Sequence, residues 1–145
     1  MYKRQIYKFD ATKNGKLVWK MNPDTDKDFP GAVTCCGINN RGVALIDNKV
    51  VSHTLDGRLI VTNKESGEIE QEVQLADASI AEVITAAPLV VKNSAITGVA
   101  GAEYGIRGWL HSTNLSDGSK NWRTYTIPAP DEPGGDTWKL SLIHI

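Results

Sequence analysis

Short runs rich in Val, Ile, Leu and Thr recur along the chain, and Gly, Pro, Asn or Asp cuts each one off within a few residues. Apolar runs this short, bounded by turn formers, predict β-strands rather than helices. Four of them form one group: Gly42 to Ile46, Lys49 to Thr54, Arg58 to Asn63 and Ile69 to Val73, with Asp47-Asn48 and Asp56-Gly57 as hairpin turns. A second group runs Ala87 to Val91, Ser94 to Val99, Gly108 to Asn114 and Asn121 to Tyr125. Ile80, Val83 and Ile84 have helical spacing, but so short a segment reads as a turn leading into the second group.

Three segments repeat one pattern. Ile6–Asp10 leads through Gly15 to Trp19, Leu59–Asn63 through Gly67 to Gln71, and Trp109–Asn114 through Gly118 to Trp122. In each, a strand ends at Asp or Asn, a turn closes on glycine, and an aromatic residue or its substitute follows four residues later. A glycine suits a turn that needs positive φ. The roughly fifty-residue spacing is that of propeller blades rather than of helical repeats. The expected fold is all-β: about two and a half four-stranded antiparallel blades, the first represented by its last hairpin. Trp19, Trp109 and Trp122 recur with the blades and read as packing residues.

Composition narrows the partners. At 145 residues, 41% hydrophobic and with a net charge of -1, the chain can bury one modest core and carries no electrostatic signature of nucleic-acid binding. No apolar run is long enough to span a bilayer. Both ends read as foreign. The first five residues can be encoded by a stretch whose reverse complement encodes Leu-Ser-Leu-Ile-His, the sequence of residues 140–144. Residues 1–5 and 140–145 are therefore expected to be adapter-derived scars flanking a partial propeller domain over 6–139.

Strand parity gathers the candidate chemistry. Strands in a blade alternate direction, so loops leading into the first strand emerge on the same face as those joining the second to the third. Cys35, Cys36, Arg41 and Thr85 lie in or beside the former; Gly101, Ala102 and Glu103 lie in an unusually long example of the latter. Cys35 and Cys36 are the only cysteines. Neighbouring Cα atoms sit about 3.8 Å apart, whereas a relaxed disulfide spans about 4.4–6.8 Å, so bonding the pair would close a strained ring. Two small reduced thiols are the other reading. Arg41 and Glu103 read equally as solvated surface charges from their residue types alone. His53 and His111 have no metal-ligand spacing, and no nucleophile with a partnered base is visible.

At these positions the chain resembles the pyrroloquinoline quinone (PQQ)-dependent alcohol dehydrogenases, the methanol and ethanol dehydrogenase family of eight-bladed propellers. The resemblance covers nearly all of residues 6–139. It rests on Cys35-Cys36 followed by Asn40-Arg41-Gly42-Val43-Ala44, then Thr54-Leu55-Asp56-Gly57-Arg58-Leu59, Ala87-Pro88-Leu89-Val90-Val91 and Gly101-Ala102-Glu103-Tyr104-Gly105-Ile106-Arg107-Gly108. It implies that Cys35 and Cys36 form a vicinal disulfide covering one face of the quinone. Arg41 is implied to bond PQQ oxygens, Thr85 a cofactor carboxylate, and Gly101 and Ala102 to allow a close backbone approach. Glu103 would bind the active-site cation, calcium or a lanthanide, for which a hard carboxylate is suited. Ala100 departs from the family's frequent serine and forgoes that residue's hydrogen bond to the cofactor. No catalytic residue falls within this chain on the family pattern: the aspartate base, further cation ligands and the stacking tryptophan belong beyond Trp138.

The resemblance also implies a small alcohol as substrate, cytochrome c as electron acceptor, a periplasmic location, and a parent that is homodimeric or carries a small subunit. The alternative is a non-catalytic propeller like the outer-membrane assembly lipoproteins. These share the blade repeat but are not expected to carry Cys-Cys-x4-Arg and Gly-Ala-Glu on one face. Membrane-bound glucose dehydrogenases lack the adjacent cysteines, which favours the alcohol branch.

Overall fold

The computed structural model describes residues 5–25, 34 and 39–137. The flanking residues 1–4 and 140–145, the cysteine pair and Trp138 lie outside these. Ten strands occur among the described residues: β1 (Ile6–Asp10), β2 (Lys16–Met21), β3 (Ala44–Ile46), β4 (Lys49–His53), β5 (Arg58–Asn63), β6 (Ile69–Gln74), β7 (Leu89–Val91), β8 (Ser94–Gly98), β9 (Trp109–Asn114) and β10 (Lys120–Tyr125). Each pairs antiparallel with its chain neighbour to give the hairpin β1–β2 and two four-stranded sheets, β3–β6 and β7–β10.

Strand number and order match the sequence pattern, while several ends move by a residue or two for local reasons. β3 begins at Ala44 because Gly42 has φ +131°, outside the extended region. β7 begins at Leu89, after Pro88, which has no amide to give to a ladder. β4 stops at His53, and the next amide, that of Thr54, closes the β4–β5 turn on the Arg58 carbonyl at 2.9 Å. Ile80 sits in a single 3₁₀ turn, Ala78–Ile80, beyond which Val83 and Ile84 are buried.

The repeated turn has a common construction. Asp10 accepts the Thr12 amide at 2.9 Å, Asn63 accepts those of Glu65 and Ser66 at 2.9 and 3.0 Å, and Asn114 accepts that of Ser116 at 2.9 Å. Short polar side chains fold the backbone in this way by standing in for a main-chain acceptor. The glycine amide then returns to the strand-end carbonyl: Gly15 to Asp10 at 3.0 Å, Gly67 to Asn63 at 2.9 Å, Gly118 to Asn114 at 2.8 Å. All three glycines have positive φ, +71°, +79° and +77°. A register shift accompanies the turn in each strand pair.

Successive repeats lock together at these turns. The indole of Trp19 lies so close over Gly67 that an added Cβ would sit 2.7 Å from the ring, and its N–H donates to the Lys64 carbonyl at 3.0 Å. Gln71 holds the corresponding place in the second repeat, and with Val73 it packs over Gly118. Lys49 reaches across to the Leu115 carbonyl at 2.8 Å. Between the two four-stranded sheets a buried cluster forms from Val51, Leu59, Val61, Ala95 and Trp109, closed by Leu75, Ala76, Ile84 and Leu115.

Gly67→Ala should destabilise the chain by about 1–3 kcal/mol through backbone strain alone, and further by displacing the indole. Gly15→Ala has the same strain, but no described residue lies within 4 Å of where its Cβ would be. Urea unfolding of both variants should show the larger loss at Gly67; equal losses would mean that the indole contact contributes nothing.

Candidate functional site

One segment laces the candidate loops together. After β6 the chain runs from Leu75 to Pro88 before entering β7. Leu75 and Ala76 donate to the Gly57 carbonyl in the β4–β5 turn at 2.8 and 3.1 Å. Asp77 caps the 3₁₀ turn by accepting the Ser79 amide at 2.9 Å, and its hydrogen bonds with Ser79 hold its carboxyl below the usual range. Val83 pairs with Ala100 through 3.0 and 2.8 Å bonds, an isolated antiparallel bridge to the long β8–β9 connection. The Thr85 carbonyl accepts both the Arg41 amide, at 3.2 Å, and the Arg41 guanidinium, at 3.3 Å. Ala86 and Ala87 then meet His53 and Gly42.

The structure thus joins Arg41 to Thr85 by hydrogen bonds and brings Gly101 against the same lacing segment. Gly101 has φ +130°, and a Cβ there would collide with the Ala81 carbonyl. Its small size is therefore already required within the chain, without any ligand. Ala102 and Glu103 begin an exposed 3₁₀ turn, Ala102–Tyr104, closed by Gly105 at φ +78°. Ala100 uses its backbone in the bridge to Val83. Cys35 and Cys36 lie outside the described residues.

Among the described residues Arg41 and Arg123 are the arginines without an acidic partner, and of the two Arg123 is held by stacking on an aromatic ring. Of the four described, Arg58 binds Asp56, Glu72 and the Pro23 carbonyl. Arg107 binds Glu132 and the Ile127 carbonyl and lies over the Tyr125 ring. Arg123 bonds His111 at 3.1 Å and the Leu75 carbonyl at 2.6 Å, and stacks 4.0 Å over Trp109. Neither Arg41 nor Glu103 has an ion-pair partner among the described residues. A guanidinium offers a planar fork for carboxylate or carbonyl oxygens, and an exposed carboxylate suits a hard cation. No group of three or more His, Cys, Asp or Glu side chains able to hold a metal gathers among the described residues, so Glu103 would be a single ligand to one.

His53 is the positioning residue that the sequence did not disclose. Only 3% exposed, it spans from the Ala86 carbonyl at 2.9 Å to the Thr97 hydroxyl at 2.8 Å, while Asn40 donates to its carbonyl at 2.7 Å. It thereby ties the loop bearing Arg41 to the segment bearing Thr85. Burial pushes its pKa down. His111 is lowered further, to about 4, first by burial and then by the Arg123 and Lys120 charges.

No protein-family model matches the chain. Quinohemoprotein alcohol dehydrogenase ADH IIB of Pseudomonas putida is 41% identical over 115 residues, 79% of this chain but 16% of the relative. Among solved structures, a europium-containing methanol dehydrogenase superposes with TM-score 0.82 at 32% identity, over 88% of this chain and 22% of that one. BamB from Moraxella catarrhalis gives TM-score 0.60 at 18% identity, over 85% of this chain and 30% of its own, a likeness of fold alone. The two four-stranded sheets are thus propeller blades, and the chain spans about a fifth of the length of the dehydrogenases it matches.

The histidines set a pH dependence. Unfolded, His111 takes up its proton near 6.5, whereas folded it resists until about 4. Between those values the unfolded state binds more protons, so stability rises with pH across the window and is lost as pH falls through it. Denaturation midpoints measured from pH 7 to pH 4 should fall, and His111→Gln should lack the His111 part of that slope. An unchanged slope in the variant would place the titration elsewhere.

Proposed function

We propose that this chain, which belongs as a segment to the PQQ-dependent alcohol dehydrogenase family, forms one wall of the cofactor and cation site of an enzyme oxidising a primary alcohol. The observation that carries the reading is the Arg41–Thr85 junction, which leaves the Arg41 guanidinium without an acidic partner among the described residues. Membership of the family makes PQQ the group for which such a donor is suited. PQQ, when bound, supplies the hydride acceptor, and a calcium or lanthanide ion supplies Lewis acidity.

On this reading Arg41 donates to quinone or carboxylate oxygens, the Thr85 hydroxyl donates to a carboxylate, and Glu103 contributes one oxygen ligand to the cation. Gly101 and Ala102 let the backbone approach, within limits that Ala81 already sets. Cys35 and Cys36 form an oxidised vicinal pair over the quinone, which requires an oxidising compartment and accords with a periplasmic enzyme. The parent is an eight-bladed propeller to which residues 6–139 contribute about two and a half blades, residues 1–5 and 140–145 being scars. Its base and remaining ligands come from other blades, and its electrons pass to cytochrome c. The scaffold alternative is supported by fold likeness to BamB alone.

In the full-length parent loaded with PQQ and cation, Arg41→Ala should weaken cofactor binding by about tenfold to a hundredfold, as for loss of a charge-assisted hydrogen bond worth about 1.5–3 kcal/mol. Glu103→Gln should lower the bound metal measured by elemental mass spectrometry. Unchanged affinity and metal content would overturn the assignment. The 145-residue chain alone should show no PQQ-dependent dye reduction with alcohols. Reducing the oxidatively folded parent should add about two daltons at the cysteine pair, and no gain would remove the disulfide.

A further inference from the structure

Arg41 and Thr85 meet at one carbonyl, and His53 holds the residue next to that junction on either side. The His53 carbonyl accepts the side-chain amide of Asn40, immediately before Arg41, at 2.7 Å. The His53 ring meets the carbonyl of Ala86, immediately after Thr85, through Nδ1 at 2.9 Å. Asn40 also accepts the Gly42 amide at 2.8 Å, so its side chain brackets Arg41 from both directions. The other ring nitrogen, Nε2, meets the Thr97 hydroxyl at 2.8 Å on β8, the strand that feeds the connection bearing Gly101 and Glu103.

These bonds assign the proton of the ring. A carbonyl only accepts, so Nδ1 carries the hydrogen that reaches Ala86. Nε2 is then bare on a neutral ring and accepts the Thr97 hydroxyl. Burial favours that neutral form. His53 and Thr97 are both buried, so neither has water to fall back on, and a bond left unmade here costs the desolvation of the stranded group. An apolar ring would fill the space without reaching either partner.

We propose that His53, as its Nδ1-protonated tautomer, is a positioning residue that fixes the Arg41–Thr85 junction and through it the donors offered to the cofactor. The bond to Ala86 sets where the segment bearing Thr85 lies, the bond from Asn40 sets where Arg41 leaves its loop, and Thr97 fixes the ring that joins them. The inference rests on the cofactor reading for what the donors face, but the hold on Arg41 stands without it.

Hydrogen exchange at the Arg41 amide, which donates to the Thr85 carbonyl, reads the junction in the full-length parent before any PQQ is added. His53→Phe keeps a ring but neither of its hydrogen bonds, and should speed that exchange by about tenfold and weaken PQQ binding by about as much. His53→Asn, whose amide nitrogen can take the place of Nδ1, should restore most of both despite its smaller volume. Simple packing predicts the opposite order, with Phe tolerated and Asn not. Thr97→Val removes only the hydroxyl that fixes the tautomer and should shift both readouts in the same direction as His53→Phe, which decides the matter if the Phe variant does not fold. Combined with Arg41→Ala, His53→Phe should cost less PQQ affinity than the sum of the two single losses, because it acts through Arg41. Exchange at Arg41 that is unchanged in His53→Phe or Thr97→Val, or an Asn variant worse than the Phe variant, would overturn the proposal. If Arg41→Ala itself leaves PQQ affinity unchanged, the cofactor reading falls, and exchange at Arg41 still decides whether His53 holds the junction.

Discussion

A side chain from the last strand of one repeat rests on a bare glycine in the next, and the placement of the sheets follows from that contact. The indole of Trp19 could not lie over Gly67 if the turn carried a Cβ, and the turn could not adopt φ +79° cheaply with any other residue. The preceding Asn63 shapes the same turn by accepting two amides, which presents the Lys64 carbonyl to both the indole N–H and the Lys8 ammonium. Backbone conformation, side-chain volume and hydrogen bonding are thus satisfied together at one point. The buried cluster around Leu59, Trp109 and Leu115 lies between sheets that such contacts hold in register.

The sheets in turn decide where the chemistry-bearing loops can go. With β6 and β7 on successive sheets, the segment from Leu75 to Pro88 must cross between them, and it meets Gly57, Ala100, Arg41 and His53 in passing. Its carbonyls accept the amide and guanidinium of Arg41 and meet one ring nitrogen of His53, so main-chain acceptors hold the loops through both backbone and side-chain donors. Side chains such as the Glu103 carboxylate are left outside this scaffolding.

Much of the fold was legible because it is written in turn chemistry. An Asp or Asn at a strand end, a glycine at a fixed offset and an aromatic four residues later state the repeat without reference to any distant residue. Strand ends were less legible: Gly42 looks like the start of a strand until the Ala87 side chain beside it and its φ of +131° are known. At the site, strand parity groups the loops of Arg41, Thr85 and Gly101, and the structure adds the contacts of Arg41 with Thr85 and of Gly101 with Ala81. Parity did not reveal His53, whose neighbours Ala86 and Thr97 lie 33 and 44 residues away. Nor did it reveal that Gly101 is small because of Ala81.

The sequence by itself determined the all-β class and the four-strand repeat, because each depends on residues near one another in the chain. Only the tertiary structure decided which arginines are occupied and which histidine holds the loops together. Those outcomes depend on what distant segments bring into contact, and a glycine such as Gly118 is spelled like Gly67 until one sees that Gln71 and Val73, rather than an indole, lie over it.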